Sequence, residues 1–264
     1  MNIIVCVKQV PGSNDVKMDK VTNTIIREGV EAIINPFDVY AVEEALKIKD
    51  NFGGKITAIS MGIPKVVDTL QEVLDLGVDS GVLLSDRAFA GADSLATAYT
   101  LSKGINKIGK YDLIICGKQA TDGDTAQVGP SLAEKLGIPH TTNVSSIEEV
   151  GADFIICNRS TDEGYEVIKI FLPAVITVVK DINVPRLPSI RTLKSAKNAE
   201  IFIWNLRDIN ADKNYTGLKG SPTQVVKTFI PQYDTGTEIF EGTNEEKCNK
   251  LALRLLDMKT LFSI

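Results

Sequence analysis

Histidine is almost absent from this chain of 264 residues, which contains His140 and no other. A zinc site or a histidine-dependent catalytic triad is therefore not expected, and His140 is interpreted as a loop residue. The cysteines are far apart in the sequence, so the paired spacing of metal ligands is also missing. They are Cys6, Cys116, Cys157 and Cys248. We expect structural thiols, no metal and no catalytic side chain.

Long apolar runs and an excess of positive charge are missing as well. No stretch approaches the roughly 20 apolar residues that a membrane helix needs, and the run at residues 3–7 is too short for a signal-peptide core. A net charge of −5 argues against binding to nucleic acid. We therefore expect a cytoplasmic protein that engages neither membranes nor nucleic acid.

Short apolar runs alternate with helical patterns over the first 140 residues. The runs lack polar alternation, which is typical of strands buried on both faces of a parallel sheet. They lie at residues 3–7, 56–60, 81–84 and 113–116. Helices are predicted at 36–52 and about 64–76, and from near Asp93 and Thr125. This alternation predicts an α/β fold with a doubly wound, mostly parallel sheet in three layers.

The pattern changes after residue 143. Antiparallel strands are predicted at 144–150, 153–159 and 166–171, with 175–179 returning to the main sheet and one more strand at 201–206. Residues 11–34 predict a small hairpin at 16–18 and 24–26 within the first crossover.

The C-terminal part lacks periodicity over residues 207–242 and ends in an amphipathic helix, Asn244–Phe262. We expect a nucleotide-binding domain at 1–206, followed at 207–264 by a linker and a helix that docks on a partner subunit. The alternative is that this helix packs on its own domain.

The segment after the run at 113–116 carries the clearest candidate site. It is a strand, then a polar loop with glycines, then a helix whose first backbone N–H groups suit a phosphate. Gly123 and Gly129 allow close backbone approach, and Thr125 and Gln127 offer polar groups. The alternative is that Asp122, Asp124 and Thr125 merely cap a helix. No Walker motif is present, and no Gly-x-Gly-x-x-Gly follows the first strand.

The loop at 86–93 is a second candidate, because ligands of open α/β sheets bind beyond the carboxyl ends of the strands. Ala90 and Gly91 are small enough for a flat ring or a phosphate to approach the backbone, and Asp93 can cap the next helix. A simple helix start explains the same residues.

At these residues the sequence resembles the beta subunits of electron-transfer flavoproteins. The resemblance spans nearly the whole chain. Its motifs are Ile-Ile-Val-Cys-Val-Lys-Gln-Val-Pro, Ile-Asn-Pro-Phe-Asp-Val-Tyr-Ala-Val-Glu-Glu-Ala, Leu-Ile-Ile-Cys-Gly-Lys-Gln-Ala-Thr-Asp-Gly-Asp-Thr-Ala-Gln-Val-Gly-Pro, Leu-Pro-Ala-Val-Ile-Thr-Val and Asn-Val-Pro-Arg-Leu-Pro-Ser-Ile.

The resemblance implies a set of cofactor contacts and an obligate heterodimer with an alpha subunit that carries FAD. The implied contacts are Cys6, Asn35, Pro36, Phe37, Asp38, Met61, Gln119, Asp122, Gly123, Asp124, Thr125, Ala126, Gln127, Val128 and Gly129. Ala90, Gly91, Asp93 and Thr97 would line an isoalloxazine ring.

Two branches of this family differ in the cofactor of the beta subunit. One branch carries structural AMP, and the electron-bifurcating branch carries a second FAD. Asp-Gly-Asp-Thr-Ala-Gln-Val-Gly-Pro and Ala-Phe-Ala-Gly-Ala-Asp-Ser-Leu-Ala-Thr resemble the bifurcating branch. That branch implies NADH as donor, with ferredoxin or flavodoxin and, through the alpha FAD, an acyl-CoA dehydrogenase as acceptors.

Residues 185–197 resemble the segment that grips the partner dehydrogenase. Ile190 and Leu193 would be apolar anchors, with Arg191, Lys194 and Lys197 as a basic rim. A solvated basic loop is the alternative. For the whole chain, a stand-alone nucleotide-binding sensor and an adenylating enzyme remain as alternative functions.

Overall fold

The computed structural model describes residues 1–12, 32–226 and 236–262, with the side chains of the last helix described as far as residue 257. The predicted hairpin at 16–18 and 24–26 lies outside the described residues. Contacts divide the chain into two compact units, residues 1–226 and residues 227–264.

A nine-stranded sheet forms the centre of the first unit. Its strands are β1 (Asn2–Cys6), β4 (Lys55–Met61), β5 (Ser80–Leu84), β6 (Leu113–Gly117), β7 (His140–Val150), β8 (Phe154–Thr161), β9 (Gly164–Phe171), β10 (Ala174–Val178) and β11 (Glu200–Trp204). The order is β11-β5-β4-β1-β6-β10-β7-β8-β9, and the first seven are parallel. Strands β8 and β9 extend the sheet antiparallel. The predicted fold class is confirmed. Two short strands, β2 (Gln9–Pro11) and β3 (Ala32–Ile34), pair separately.

Helices cover both faces of the sheet. They are α1 (Pro36–Phe52), α2 (Val66–Asp75), α3 (Ser94–Ile108), α4 (Val128–Leu136) and α5 (Ile190–Ala196). Side chains alternate along a strand, so Ile3 joins the core under α1 and α2 while Ile4 joins the core under α3 and α4. Both residues are almost fully buried. This is the doubly wound arrangement that the alternating pattern predicts.

The strand order reverses between β1 and β6. From β1 the chain passes to β4 and β5 on one side, whereas β6 and β10 lie on the other. Such a switch point leaves a crevice beyond the carboxyl ends of the two strands, where open α/β sheets bind ligands.

Two local predictions are wrong, and one helix was not predicted. Helix α4 begins at Val128 and not near Thr125, because Asp124 and Ala126 each have a φ of 52°, which a right-handed helix excludes. Residues 190–196 form the unpredicted helix α5, whose capping box pairs Ser189 with Thr192. His140 begins β7 instead of lying in a loop.

Residues 207–226 pack within the first unit, where Ile209 is buried and the amide of Leu218 donates to the carbonyl of Ala90 at 2.9 Å. The compact unit therefore extends twenty residues beyond the predicted boundary at 206. In the second unit, α6 spans Asn244–Phe262 as predicted, and Leu251 and Leu255 are exposed. Docking of α6 on a partner stays a prediction. No described helix has the length and apolarity required to span a membrane.

Candidate functional site

Asn35 joins the two sides of the switch point. Its backbone N–H donates to the carbonyl of Lys8 after β1 at 2.8 Å. Its side-chain amide donates to the carbonyl of Gln119 at 2.9 Å and accepts from the N–H of Thr121 at 3.1 Å. Asn35 is only 1% exposed. It therefore holds the segment after β6 from below, which fixes where that segment lies.

Asp38, in the first turn of α1, is the second buried polar group of the crevice. Its carboxyl accepts from the N–H of Lys8 at 2.8 Å. Burial raises the pKa of Asp38 to about 7, against the lowering effect of hydrogen bonds from Asn35 and from the backbones of Lys8 and Gly117. Near neutral pH this carboxyl is therefore poised between its protonated and ionised forms.

Above these groups lies the open loop, residues 118–127. From Thr121 to Thr125 every residue is exposed. The ammonium of Lys8 pairs with Asp122 at 2.5 Å, and the side-chain amide of Gln119 donates to Asp124. A Cβ built on Gly123 would meet nothing within 4 Å. The amides of Gly123 and Asp124 donate to the carbonyl of Ala120, at 3.3 and 2.8 Å. The loop is therefore held along its length, while its Gly123 borders open space.

Helix α4 starts without a side-chain cap among the described residues. Gln127 precedes it, and its side-chain carbonyl accepts from the hydroxyl of Ser94 at 3.0 Å. The first amides of a helix without a cap, together with its dipole, favour an anion. Gly129 is buried, and a Cβ there would overlap the methyl group of Thr177 on β10. Its contact with a cofactor stays a prediction. Gly129 is needed for helix–sheet packing.

The other candidate loop, residues 85–93, is closed by its own chain. Asp93 caps α3 by accepting from the N–H groups of Leu95 and Ala96, both at 3.0 Å. Its second carboxyl oxygen accepts from the backbone and hydroxyl of Thr223. Burial alone would raise the pKa of Asp93, but the hydrogen bonds from Ala96, Thr223 and Leu95 outweigh it and lower the pKa. This carboxylate is fully used within the protein.

Residues 217–221 cover the same loop. Gly217 has a φ of 55°, and a Cβ there would run into the carbonyl oxygens of Ala88 and Ala90. The side chain of Leu218 lies against Gly91. The predicted cofactor contacts at Ala90, Gly91 and Asp93 are thus engaged by the chain itself, and their contact with a cofactor stays a prediction.

The remaining predicted contacts surround the crevice at different depths. Cys6 and Cys116 are buried neighbours on β1 and β6. The hydrogen bond with Cys6, burial and the charge of Asp38 all raise the pKa of the Cys116 thiol, so it stays protonated. Met61 ends β4, half-buried, and Thr97 lies half-buried in α3. Pro36 is exposed, and Phe37 is half-buried beside Gly117.

The structure thus brings Asn35, Asp38 and the open loop together, and places the loop at 85–93 beside them through Ser94. Sequence reasoning missed Lys8 and Thr121, although the former stands in the Val-Lys-Gln motif directly after β1. It also missed Ser94, which follows the capping residue of α3. The described residues contain no group of three or more His, Cys, Asp and Glu side chains suited to a metal ion.

The predicted docking residues are solvent-accessible. Ile190 is 77% exposed and Leu193 is 41% exposed, while Arg191, Lys194 and Lys197 are all exposed around them. Ala196, on the opposite side of α5, is buried, and Thr192 contacts Gly77 after α2. Helix α5 therefore exposes two apolar side chains to solvent, with exposed basic side chains around them.

A doubly wound sheet with an open, glycine-containing loop at its switch point defines an α/β protein of the ligand-binding class. A family model described as "Electron transfer flavoprotein domain" matches residues 22–208. The chain belongs to the electron transfer flavoprotein family and is of the beta-subunit type.

Several relatives match almost from end to end. The electron transfer flavoprotein subunit beta of Thermoanaerobacterium thermosaccharolyticum is 50% identical over 97% of this chain and 98% of its own. That of Clostridium acetobutylicum is 50% identical over 93% of this chain and 94% of its own. The caffeyl-CoA reductase-Etf complex subunit CarD of Acetobacterium woodii is 46% identical over 92% of this chain and 93% of its own.

Proposed function

We propose that the chain is the beta subunit of an electron-bifurcating flavoprotein whose open loop would hold FAD. That cofactor would supply acceptance of a hydride from NADH and transfer of single electrons to ferredoxin or flavodoxin and, through the FAD of an alpha subunit, to an acyl-CoA dehydrogenase. The observation that carries the proposal is the open loop at the switch point. Its Gly123 borders open space while its base is held by the buried side chain of Asn35.

The residues present fit a dinucleotide. Gly123 offers room for a phosphate beside the backbone, and Asp124 and Ala126, both with positive φ, shape the loop just before α4. The start of α4 offers amides without a side-chain cap, and Lys8, which pairs with Asp122, offers a cation beside the loop. We assign these groups to the phosphates of the cofactor. Asn35 and Asp38 support the loop from below.

AMP is the second candidate ligand of this loop, because a single phosphate also suits the start of α4. The sequence of the loop and of residues 88–97 favours FAD, since both resemble the bifurcating branch. The name of the Acetobacterium woodii relative places that protein in a complex with a caffeyl-CoA reductase. We take this as support for a partner here that acts on a CoA thioester.

Docking on the dehydrogenase is assigned to α5. Ile190 and Leu193 provide exposed apolar area, and exposed basic side chains ring them. Apolar anchors surrounded by a charged rim are the usual composition of a protein interface. The exposed leucines of α6 are assigned to the alpha subunit, on the strength of their exposure and of the predicted linker.

Bifurcation is tested with the purified heterodimer under anaerobic conditions. NADH, ferredoxin, the acyl-CoA dehydrogenase and its enoyl-CoA substrate are combined, and each is then left out in turn. We expect ferredoxin reduction when both acceptors are present and none when the enoyl-CoA is omitted. Enoyl-CoA reduction that proceeds without any reduction of ferredoxin would point to the AMP-containing, non-bifurcating type.

Docking is tested with Ile190→Glu, which places a charge at the most exposed apolar anchor of α5. We expect the apparent KM for the dehydrogenase to rise about tenfold or more, since truncating or charging a central anchor typically costs above 1 kcal/mol. Val167→Glu is the matched control, because Val167 is also exposed but lies on β9, at the sheet edge opposite β11. Equal KM values for both variants would contradict the docking role.

A further inference from the structure

Helix α1 holds the anchor segment, residues 181–189, which leads directly into α5. The guanidinium of Arg186 donates to both carboxylate oxygens of Glu43, at 2.9 and 3.0 Å, and the backbone N–H of Arg186 donates to Glu43 at 3.0 Å. The same guanidinium pairs with Asp50 at 2.9 Å. One arginine thus clamps the anchor segment to α1 through four contacts.

A second clamp uses Tyr40 and Glu44 on α1. The side-chain amide of Asn183 donates to Glu44 at 2.9 Å and to the carbonyl of Tyr40 at 3.0 Å. The hydroxyl of Tyr40 donates to Asp181 at 3.0 Å. Glu44 also pairs with Lys47 at 2.9 Å. The two clamps therefore bind both halves of the anchor segment.

Burial shows that these contacts are specific. Glu43 is 6% exposed and Glu44 is 4% exposed, and carboxylates are rarely so buried unless they are paired and hydrogen-bonded. In the anchor segment Ile182 packs partly buried against the core, whereas Val184 and Leu187 are each 88% exposed. Beyond Ile182 apolar packing by these two side chains cannot hold the segment, so the polar clamps decide its conformation there.

We infer that Glu43 and Glu44 are positioning residues for partner docking: through Arg186 and Asn183 they fix the direction in which α5 leaves the body of the protein. The inference rests on the docking role proposed above for α5. Asn35, the residue immediately before α1, holds the open loop. A single helix therefore fixes the cofactor loop and the docking surface relative to each other. The rate of electron transfer depends on the distance between the cofactor and the docked partner, which this arrangement sets.

The test uses the full chain purified with its alpha subunit, in the variants Glu43→Ala, Asn183→Ala and Arg186→Lys. The first two each remove one side of a clamp, and the third keeps the charge but loses the two-pronged contact. Glu134→Ala, an exposed glutamate on α4, is the matched control. Two quantities are measured: hydrogen exchange of the amides of residues 181–193, and the KM and kcat for the acyl-CoA dehydrogenase as acceptor.

We expect the amide of Arg186 to exchange at least tenfold faster in Glu43→Ala, since Glu43 is its acceptor. The KM for the dehydrogenase should rise at least threefold in the clamp variants, with kcat unchanged, and Glu134→Ala should match the wild type. Arg186→Lys should fall between the two. Where Glu43→Ala fails to fold, the other two variants carry the test.

Unchanged exchange over residues 181–193 in the clamp variants would overturn the inference. So would faster exchange with a normal KM, if Ile190→Glu raises the KM. If Ile190→Glu also leaves the KM unchanged, the docking role of α5 fails and the positioning role falls with it, while the clamp itself stands as a structural contact.

Discussion

The loop at 85–93 follows β5 and the open loop at 118–127 follows β6, and the two differ in the residues that contact them. The loop at 85–93 is closed by the chain: Asp93 caps α3, Thr223 satisfies the same carboxylate, and Gly217 packs on the loop backbone. The open loop at 118–127 has a firm base in Asn35 but exposes residues 121–125. The closed loop is completed by the chain itself, whereas the open loop on a rigid base leaves room for a ligand.

The two loops also use their aspartates in opposite ways. Asp38, below the open loop, is buried and has a raised pKa, while Asp93 is held by hydrogen bonds that lower its pKa. Asp38 stabilises the fold most in its protonated form, and Asp93 stabilises it most in its ionised form. The four predictions below use this contrast and are ordered by the size of the expected effect.

Asp38→Asn should change the pH dependence of stability most. The unfolded chain releases the proton near pH 3.8 and the folded chain near pH 7. Asp38 therefore contributes fully below pH 3.8, and its contribution is lost as the pH rises through 7. The wild type should lose up to about 4 kcal/mol over this range through this group, and the variant should not. Urea unfolding from pH 4 to 8 measures this, and parallel profiles for the two proteins would refute it.

Gly217→Ala should open the closed loop. The new Cβ would strike the carbonyl oxygens of Ala88 and Ala90, and the φ of 55° disfavours alanine. We expect a loss of about 3 kcal/mol, since strained backbone and overpacking each cost about 1–3 kcal/mol. Thermal unfolding gives the size of the effect. Gly137→Ala is the control, because Gly137 also has a positive φ but a Cβ there meets nothing within 4 Å.

Asp93→Ala should destabilise the protein by about 1–2 kcal/mol at neutral pH, because α3 loses its cap. Since the pKa of Asp93 is lowered, the wild type should lose this stabilisation as the pH falls through that pKa, opposite in sign to the effect of Asp38. Asp122→Ala in the open loop is the comparison and should cost less than about 1 kcal/mol, because its ion pair with Lys8 is partly exposed. Equal losses for the two variants would remove the distinction between the loops.

Gly123→Ala should leave stability within about 0.5 kcal/mol, because its Cβ enters open space. If that space holds a phosphate, the flavin content of the purified heterodimer should fall by half or more, since a methyl group then stands where the cofactor approaches the backbone. Flavin absorbance per protein measures it. Full flavin content in this variant would show that the cofactor does not approach Gly123.

Much of the fold follows from local sequence signals. The buried parallel strands are predicted by apolar runs without alternation, and α1 by Asn35-Pro36 before it and Gly53 after it. Helix α5 was not predicted because its capping box uses Thr192 in place of the usual Glu or Gln. The start of α4 was misplaced because positive φ at Asp124 and Ala126 leaves no clear signal in these residue types.

The location of the candidate site stays a prediction from the sequence. The glycine-containing loop after β6 stood out, yet Gly129 and Gly123 look alike in sequence. A structure is needed to show that a Cβ on the first would overlap Thr177 and a Cβ on the second would meet nothing within 4 Å. The closure of the other loop by Thr223 joins residues 130 positions apart. Such contacts depend on the path of the chain, which no local pattern encodes.

The most direct measurement counts the cofactors released when the purified heterodimer is denatured. The account predicts two FAD per heterodimer and no AMP, because the open loop of this chain takes up the second dinucleotide. One FAD accompanied by one AMP would contradict the assignment of FAD to this loop.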